Sequence, residues 1–257
     1  MTDPIRLYHS DVDHIEVWAQ GDTRWLTFAD QVMQSWIQLS DPAVLSPPVQ
    51  ALLAPLLFVP TPQKTLMLGM GAGSLARFLT HQKPEFAGVL VEWSAPAVAI
   101  ARQFFDFPEA SAWEIKRMDA RDYLLNTTQQ YDYVVVDMMT GPDTSRWVGQ
   151  PAHLHRMRAC LSPGGVVVFN LLACDATMFT NFLRHIRHVF ARKTVCLGVP
   201  GYKNVVIFAF VQDPPYSTLA QLRARAPVLQ QAWGLPFSAL VAQMQQDNPP
   251  GSGALKE

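Results

Sequence analysis

From Lys64 onward, apolar runs of strand length alternate with segments of helical period: TLMLG, SLARFLTHQ, GVLVE, APAVAIARQFF, AWEIKRM, ARDYLL and YDYVVVD follow one another. Runs such as YVVV carry no apolar-polar alternation, so each strand must be covered on both faces, which is the condition of a parallel sheet flanked by helices. After VVVDMM come a loop, a helix around His153 to Cys160, the turn SPGG and the strand VVVFNLL, which brings the parallel strands to five. An amphipathic helix across Met178 to Phe190 precedes two more strands, KTVCLGV and NVVIFAFV, separated only by Pro200, Gly201, Tyr202 and Lys203. A parallel crossover needs about a dozen residues or more, so this pair is antiparallel. The expected architecture is therefore α/β and Rossmann-like, a seven-stranded, mostly parallel sheet with an antiparallel last strand.

The flanks read differently. In residues 1–58, Ile15, Val17, Trp25, Leu26 and Phe28 lie on short apolar stretches broken at Gly21 and Asp22, the pattern of a hairpin or small meander and hence of a small β-rich unit or lid. Pro42, Pro47, Pro48 and Pro55 then punctuate the chain, with a short helix expected from Val49 to Leu53. Residues 59–216 hold the nucleotide-binding α/β unit. Residues 217–257 carry two helical patterns, around Leu219 to Ala226 and Phe237 to Gln246, and end in NPPGSGALKE, a composition expected to be mobile.

In LGMGAGSL, Gly69, Gly71 and Gly73 follow a strand directly and open a helix. Glycine there lets backbone amides approach a ligand with no Cβ in the way and aims the helix N-terminus at it. Glu92 ends the next strand about 20 residues on, where an acid can accept hydrogen bonds from both ribose hydroxyls of an adenosine ligand; a surface glutamate at a strand end is the competing role. The dinucleotide fingerprint wants its third glycine where Ser74 stands, and a uniformly parallel nucleotide fold has no need of the antiparallel pair. Both features favour an adenosyl sulfonium ligand over a dinucleotide.

The segments LMLGMGAGSL, LVEWS, MDARDYL, YDYVVVDMMTGP and PAHLHRMRACLSPGGVVVFNL, together with the β-rich start IEVWAQGDTRWLTFADQVMQS, resemble spermidine synthase and its relatives over about residues 13–212. Those aminopropyltransferases share the class I methyltransferase fold and carry a small amino-terminal sheet domain. The resemblance implies that S-adenosylmethionine or its decarboxylated form is the co-substrate, with no metal. It places Gly69, Gly71 and Gly73 along the amino-acid end of that ligand, Glu92 on the ribose, and Asp119 and Ala120 at the adenine. Asp119 is also a fitting N-cap for ARDYLL, and the two roles can coexist. Trp93 either covers the adenine or packs in the core. Asp137, at the end of YDYVVVD, is the catalytic candidate: an attacking amine must lose a proton, and a carboxylate can accept it or hold the amine in line. Its competing role is to fix the following loop. Gln34 and Thr140 stand where the family contacts its acceptor.

The chain also departs from that family's pattern. Ala72 replaces the aspartate of the glycine loop, Thr140 replaces the second aspartate of DSSDP, and SPPVQALL has no YHE. Carboxylates and aromatic walls are what pair with the ammonium groups of a diamine or triamine, so ordinary polyamine synthesis is disfavoured. The expected activity is transfer of an aminopropyl or methyl group to a small amine-type acceptor. A catalytically lapsed ligand-sensing or interaction module is the alternative.

Composition narrows the partners. A formal charge of −1 provides no sequence-wide attraction for nucleic acid or anionic lipid. Cys160, Cys174 and Cys196 form no CxxC pair, so neither a disulfide framework nor a zinc site is indicated. The start MTDPIRLYHSDVDH lacks the blocks of a signal peptide, and no apolar run reaches the ~18 residues of a membrane span, which makes the cytoplasm the expected compartment. With 49% hydrophobic residues and seven tryptophans, the surface can supply a homodimer interface.

Overall fold

The computed structural model describes residues 3–12, 14–28, 33–83, 86–108, 113–138, 147–172 and 175–257. Strands β1 (Ile5–Ser10), β2 (Ile15–Gln20), β3 (Thr23–Phe28) and β4 (Met33–Gln38) form an antiparallel meander in chain order. The break at Gly21 and Asp22 becomes the hairpin turn of β2 and β3, with Gln20 paired to Thr23 and Gly21 in the left-handed region at φ +56°. Alternation in IEVWAQ buries Ile15, Val17 and Ala19 on one face.

The large sheet comprises β5 (Lys64–Leu68), β6 (Ala87–Val91), β7 (Trp113–Lys116), β8 (Tyr131–Val136), β9 (Leu161–Leu172), β10 (Thr194–Gly198) and β11 (Asn204–Phe210), in the order β10-β11-β9-β8-β5-β6-β7. Strands β5 to β9 are mutually parallel, and β11, inserted between β9 and β10, runs antiparallel to both. The four-residue turn expected to force this reversal is where the chain turns. Continuous apolar runs serve two cores. Met67, Tyr133, Val135, Val168, Val206 and Phe208 face one side; Leu66, Leu68, Val134, Val136, Val167 and Ile207 face the other. Helices α2 (Ser74–Gln82), α7 (Leu219–Trp233) and α8 (Phe237–Asp247) close the first core, and α4 (Ala120–Asn126), α5 (Pro151–Ala159) and α6 (Ala176–Val189) close the second. Helix α3 (Ala95–Phe104) starts on a Ser94 cap whose hydroxyl accepts from the Ala97 amide at 3.2 Å.

The short helix expected from Val49 to Leu53 is α1 (Pro47–Leu52), which runs into a 3-10 turn (Ala54–Leu57); its prolines open these helices, and Leu52, Leu56, Leu57 and Phe58 are buried in the first core of the large sheet. Two local expectations are corrected. SPGG is not a free turn. It lies within β9 as an outward bulge, where the pairing with β8 jumps from Tyr131↔Leu161 to Tyr133↔Val166. The carboxyl-terminal tail is docked. Ala254 N donates to Thr194 O at 2.8 Å, Lys256 N donates to Ser217 O at 2.8 Å, and Ala254 and Leu255 are buried. These two apolar residues gain more from burial than the polar composition around them suggested. No described helix is long and apolar enough to cross a membrane.

Candidate active site

Strand register alone assembles the site. Leu68 is level with Val91 on β6 and Val136 on β8, and Val136 is level with Phe169 on β9. One step further along each strand stand Glu92, Gly69, Asp137 and Asn170, a single row across four strands at the carboxyl edge. The ladder bonds continue into that row, Gly69 N donating to Val91 O and Asp137 N to Leu68 O, both at 2.9 Å. Carboxyl ends of parallel strands are where ligands bind in open α/β sheets.

The three loop glycines have left-handed φ values of +93°, +51° and +78°, yet they do different things. A Cβ on Gly69 would lie 2.3 Å from the Asp137 carbonyl oxygen, and one on Gly73 would lie 2.5 Å from the Phe107 ring. Those positions are glycine because the protein itself fills the space. Among the described residues, a Cβ on Gly71 would meet nothing nearer than the Ser35 side chain at 4.0 Å, so of these three glycines Gly71 is the one whose side is left open by the described residues. Ala72 is only 1% exposed, enclosed with Ile15, Val17, Leu26, Ile37, Ile100 and Phe105 beneath the amino-terminal sheet. The buried Arg77 guanidinium fixes that seating by donating to Leu39 O at 2.6 Å, Gln38 O at 3.1 Å and Asp106 Oδ2 at 3.2 Å.

Glu92 is buried, which removes the surface-glutamate reading. Its Oε2 accepts from the Met70 amide at 3.1 Å and its Oε1 from the Ser94 amide at 2.8 Å. Each oxygen keeps a lone pair, so the carboxylate is preorganised as an acceptor beside the glycine loop. Trp93 is 79% exposed, so core packing is not its role. Asp119 caps α4 by accepting from the Arg121 amide at 2.7 Å, and its carboxylate also pairs with the Arg121 guanidinium at 2.6 Å. That guanidinium holds the Asp119 carboxyl below the usual range. It also sits 5.9 Å from the centre of the Trp147 ring, which packs edge-on against His153. Ala120 is the buried first residue of α4.

Asp137 is partly open at its surface, but enough protein surrounds it that desolvation pushes its carboxyl above the ordinary range. The opposing influence is one hydrogen bond, from Asn170 Nδ2 to Asp137 Oδ1 at 2.8 Å, and Asn170 Oδ1 in turn accepts from Asn204 Nδ2 at 2.9 Å. Asn170 and Asn204 are site residues that the sequence reading missed; two polar residues in the apolar runs VVVFNLL and NVVIFAFV were the available signal. Thr140 lies outside the described residues, as does the side chain of Gln34, whose backbone belongs to β4. The described residues hold no cluster of three or more His, Cys, Asp or Glu fit for a metal.

Sheet order, reversed strand, glycine loop and buried edge acid together define the class I methyltransferase type of nucleotide fold. A probable spermidine synthase from Corynebacterium glutamicum superposes over 95% of this chain and 92% of its own, with TM-score 0.71 and 20% identity. Human methyltransferase-like protein 13, solved with S-adenosylhomocysteine, covers 74% of this chain and 90% of its own, with TM-score 0.64 and 21% identity. In sequence, a polyamine aminopropyltransferase from Chromobacterium violaceum is 30% identical over 94% of this chain and 93% of its own length. The spermine/spermidine synthase domain matches residues 52–219, and the chain belongs to that family. It is a transferase of the S-adenosylmethionine type.

Proposed function

We propose that this protein transfers an alkyl group, aminopropyl or methyl, from decarboxylated or intact S-adenosylmethionine to a small amine, acting in the cytoplasm, with Asp137 as proton acceptor. The observation that carries this reading is Asp137 itself: a desolvated carboxylate level with the glycine loop and held through one oxygen by one neutral donor. Such a group is incompletely compensated, and a cationic sulfonium or ammonium supplies what it lacks. During transfer the amine nitrogen forms a C–N bond as the donor's C–S bond breaks, and the electron pair stays on sulfur. The proton lost from nitrogen goes to Asp137 Oδ2, the oxygen Asn170 leaves free.

The remaining residues fit the donor. Gly71 offers backbone without a Cβ, Glu92 offers two fixed acceptors for the ribose, and Trp93 offers a free ring for the adenine, with Asp119 and Ala120 at its far edge. Gln34 and Thr140 are assigned to the acceptor. The name of the Chromobacterium relative favours aminopropyl transfer. Ala72, closed into an apolar cluster, cannot present a carboxylate to an ammonium tail, which weighs against a standard polyamine site.

The test is to incubate purified protein with either donor and a panel of small amines. Methylthioadenosine release marks aminopropyl transfer and S-adenosylhomocysteine release marks methyl transfer. Calorimetry that detects binding of neither donor, nor of methylthioadenosine, refutes the reading. The enclosure of Ala72 favours one other role, a ligand sensor without catalysis. Donor binding with no product from any acceptor supports that role.

A further inference from the structure

We propose that Asn204 and Asn170 form an amide relay that positions Asp137 with Oδ1 engaged and Oδ2 free, Asn204 acting as the positioning residue that fixes the orientation of Asn170. The inference rests on the reading of Asp137 given above. Topology explains why Asn204 can do this. It stands at the start of β11, and because β11 runs against its neighbours, its beginning lies at the carboxyl edge of the parallel strands. Asn170 is level with Val206, and Asn204 with Leu172, so Asn204 and Asn170 project from the same sheet face on adjacent strands. Asp137, one step beyond the Val136↔Phe169 pair, completes a line across three strands.

The direction of the relay is set from its acidic end. An ionised carboxylate accepts and cannot donate, so Asn170 must turn its NH2 toward Asp137 and its carbonyl toward Asn204. Asn204 must then present its own NH2, and the distances of 2.8 and 2.9 Å fit that chain of donors. Without Asn204, a half-turn of the Asn170 amide would place its carbonyl against Asp137 and favour the protonated acid. With Asn204 presenting its NH2 to Asn170 Oδ1, that half-turn brings two NH2 groups together unless Asn204 turns as well, so the observed orientation adds to the cost of leaving the ionised form. The relay in this orientation thus favours the ionised, proton-accepting form. No charged side chain among the described residues contributes to the balance at Asp137.

The experiment reads the Asp137 carboxyl directly, by NMR titration of 13C-aspartate-labelled protein with Asp137→Asn as the assignment control. It needs no donor or acceptor, so its outcome is independent of whether transfer is found. Asn170→Leu and Asn204→Leu should each raise the Asp137 midpoint, by about one pH unit for the first, the scale on which one hydrogen bond to a charged form acts. The double variant should show no further rise beyond Asn170→Leu. Asn204→Asp should raise the midpoint more than Asn204→Leu, because the introduced carboxylate recruits the Asn170 NH2 away from Asp137. Should these variants unfold, the wild type still answers: the side-chain NH2 resonances of Asn170 and Asn204 should both titrate with the Asp137 midpoint. An Asn204 amide that ignores that titration, or folded Asn204 variants with the wild-type midpoint, overturns the relay. In the transfer assay, Asn204→Leu should lower kcat and move the acid limb of the pH profile upward with little change in KM; a lower kcat with an unmoved profile leaves Asn204 merely structural.

Discussion

At the scale of single residues, Asp137 sets function against stability. Its folded pKa is raised, so its contribution to stability is fully present below the unfolded value and is lost as pH rises through the folded one. Asp137→Asn should therefore stabilise the unliganded protein against urea at neutral pH and have little effect below the ordinary aspartate pKa, while lowering kcat by about 10²–10⁴. Equal stability at both pH values, or unchanged turnover, would contradict this. Wild-type affinity for a cationic donor should rise as pH increases through the folded pKa, because binding favours the ionised form. The glycines make a second residue-scale prediction. Gly69→Ala brings its Cβ against backbone that cannot move, so it should prevent folding or cost more than Gly73→Ala, whose obstacle is the Phe107 ring. Among the described residues Gly71→Ala meets no obstacle beyond the strain of its positive φ, about 1 kcal/mol, yet should weaken donor binding at least about tenfold where the ligand passes. Sequence spacing made the three glycines look equivalent. What separates them is what lies opposite each Cβ, which no local pattern encodes.

At the scale of elements, period and turn length made the sheet legible: apolar runs without alternation gave five parallel strands, and four turn residues gave the reversed pair. Less legible were elements whose state depends on distant partners. The polar tail docks because Thr194 at the sheet edge and Ser217 offer acceptors to it, and α7 continues through Pro227 to the left-handed cap at Gly234, beyond the end expected near Ala226. Arg77 is the sharpest example, since SLARFLTHQ reads only as a segment of helical period. In the fold its guanidinium is buried, and the magnitudes indicate which of its bonds matter. Asp106 is 71% exposed at its side chain, so that ion pair contributes at most about 1 kcal/mol, whereas Gln38 O and Leu39 O lose their charged donor if Arg77 is removed. Arg77→Met should thus cost about 2–4 kcal/mol in urea unfolding, and Asp106→Asn less than about 1. Comparable losses from the two substitutions would assign the anchoring to the ion pair instead.

At the scale of the whole molecule, the amino-terminal meander, expected from sequence as a unit that could close as a lid, is joined to the glycine loop through a shared core. Ile15, Val17, Leu26 and Ile37 from the meander meet Ala72, Ile100 and Phe105, and Arg24 donates to Phe104 O at 2.7 Å on the α3 side. The sequence showed both halves of this contact but not their meeting, because Ala72 reads as a lost acid and only packing reveals it as the floor of an apolar seat. The loop's shape then depends on residues far from any ligand. Val17 is fully buried in that seat, and Val17→Ala leaves a cavity at a cost of about 1–3 kcal/mol. If the meander supports the loop, hydrogen exchange of the Met70 to Ser74 amides should quicken in Val17→Ala, and donor affinity should fall although Val17 is fully buried. A core substitution of similar cost away from the seat, such as Val195→Ala in β10, supplies the comparison. Equal effects of the two on loop exchange would mean that the meander merely shares in global stability, and a greater effect of Val17→Ala would make it part of the donor site.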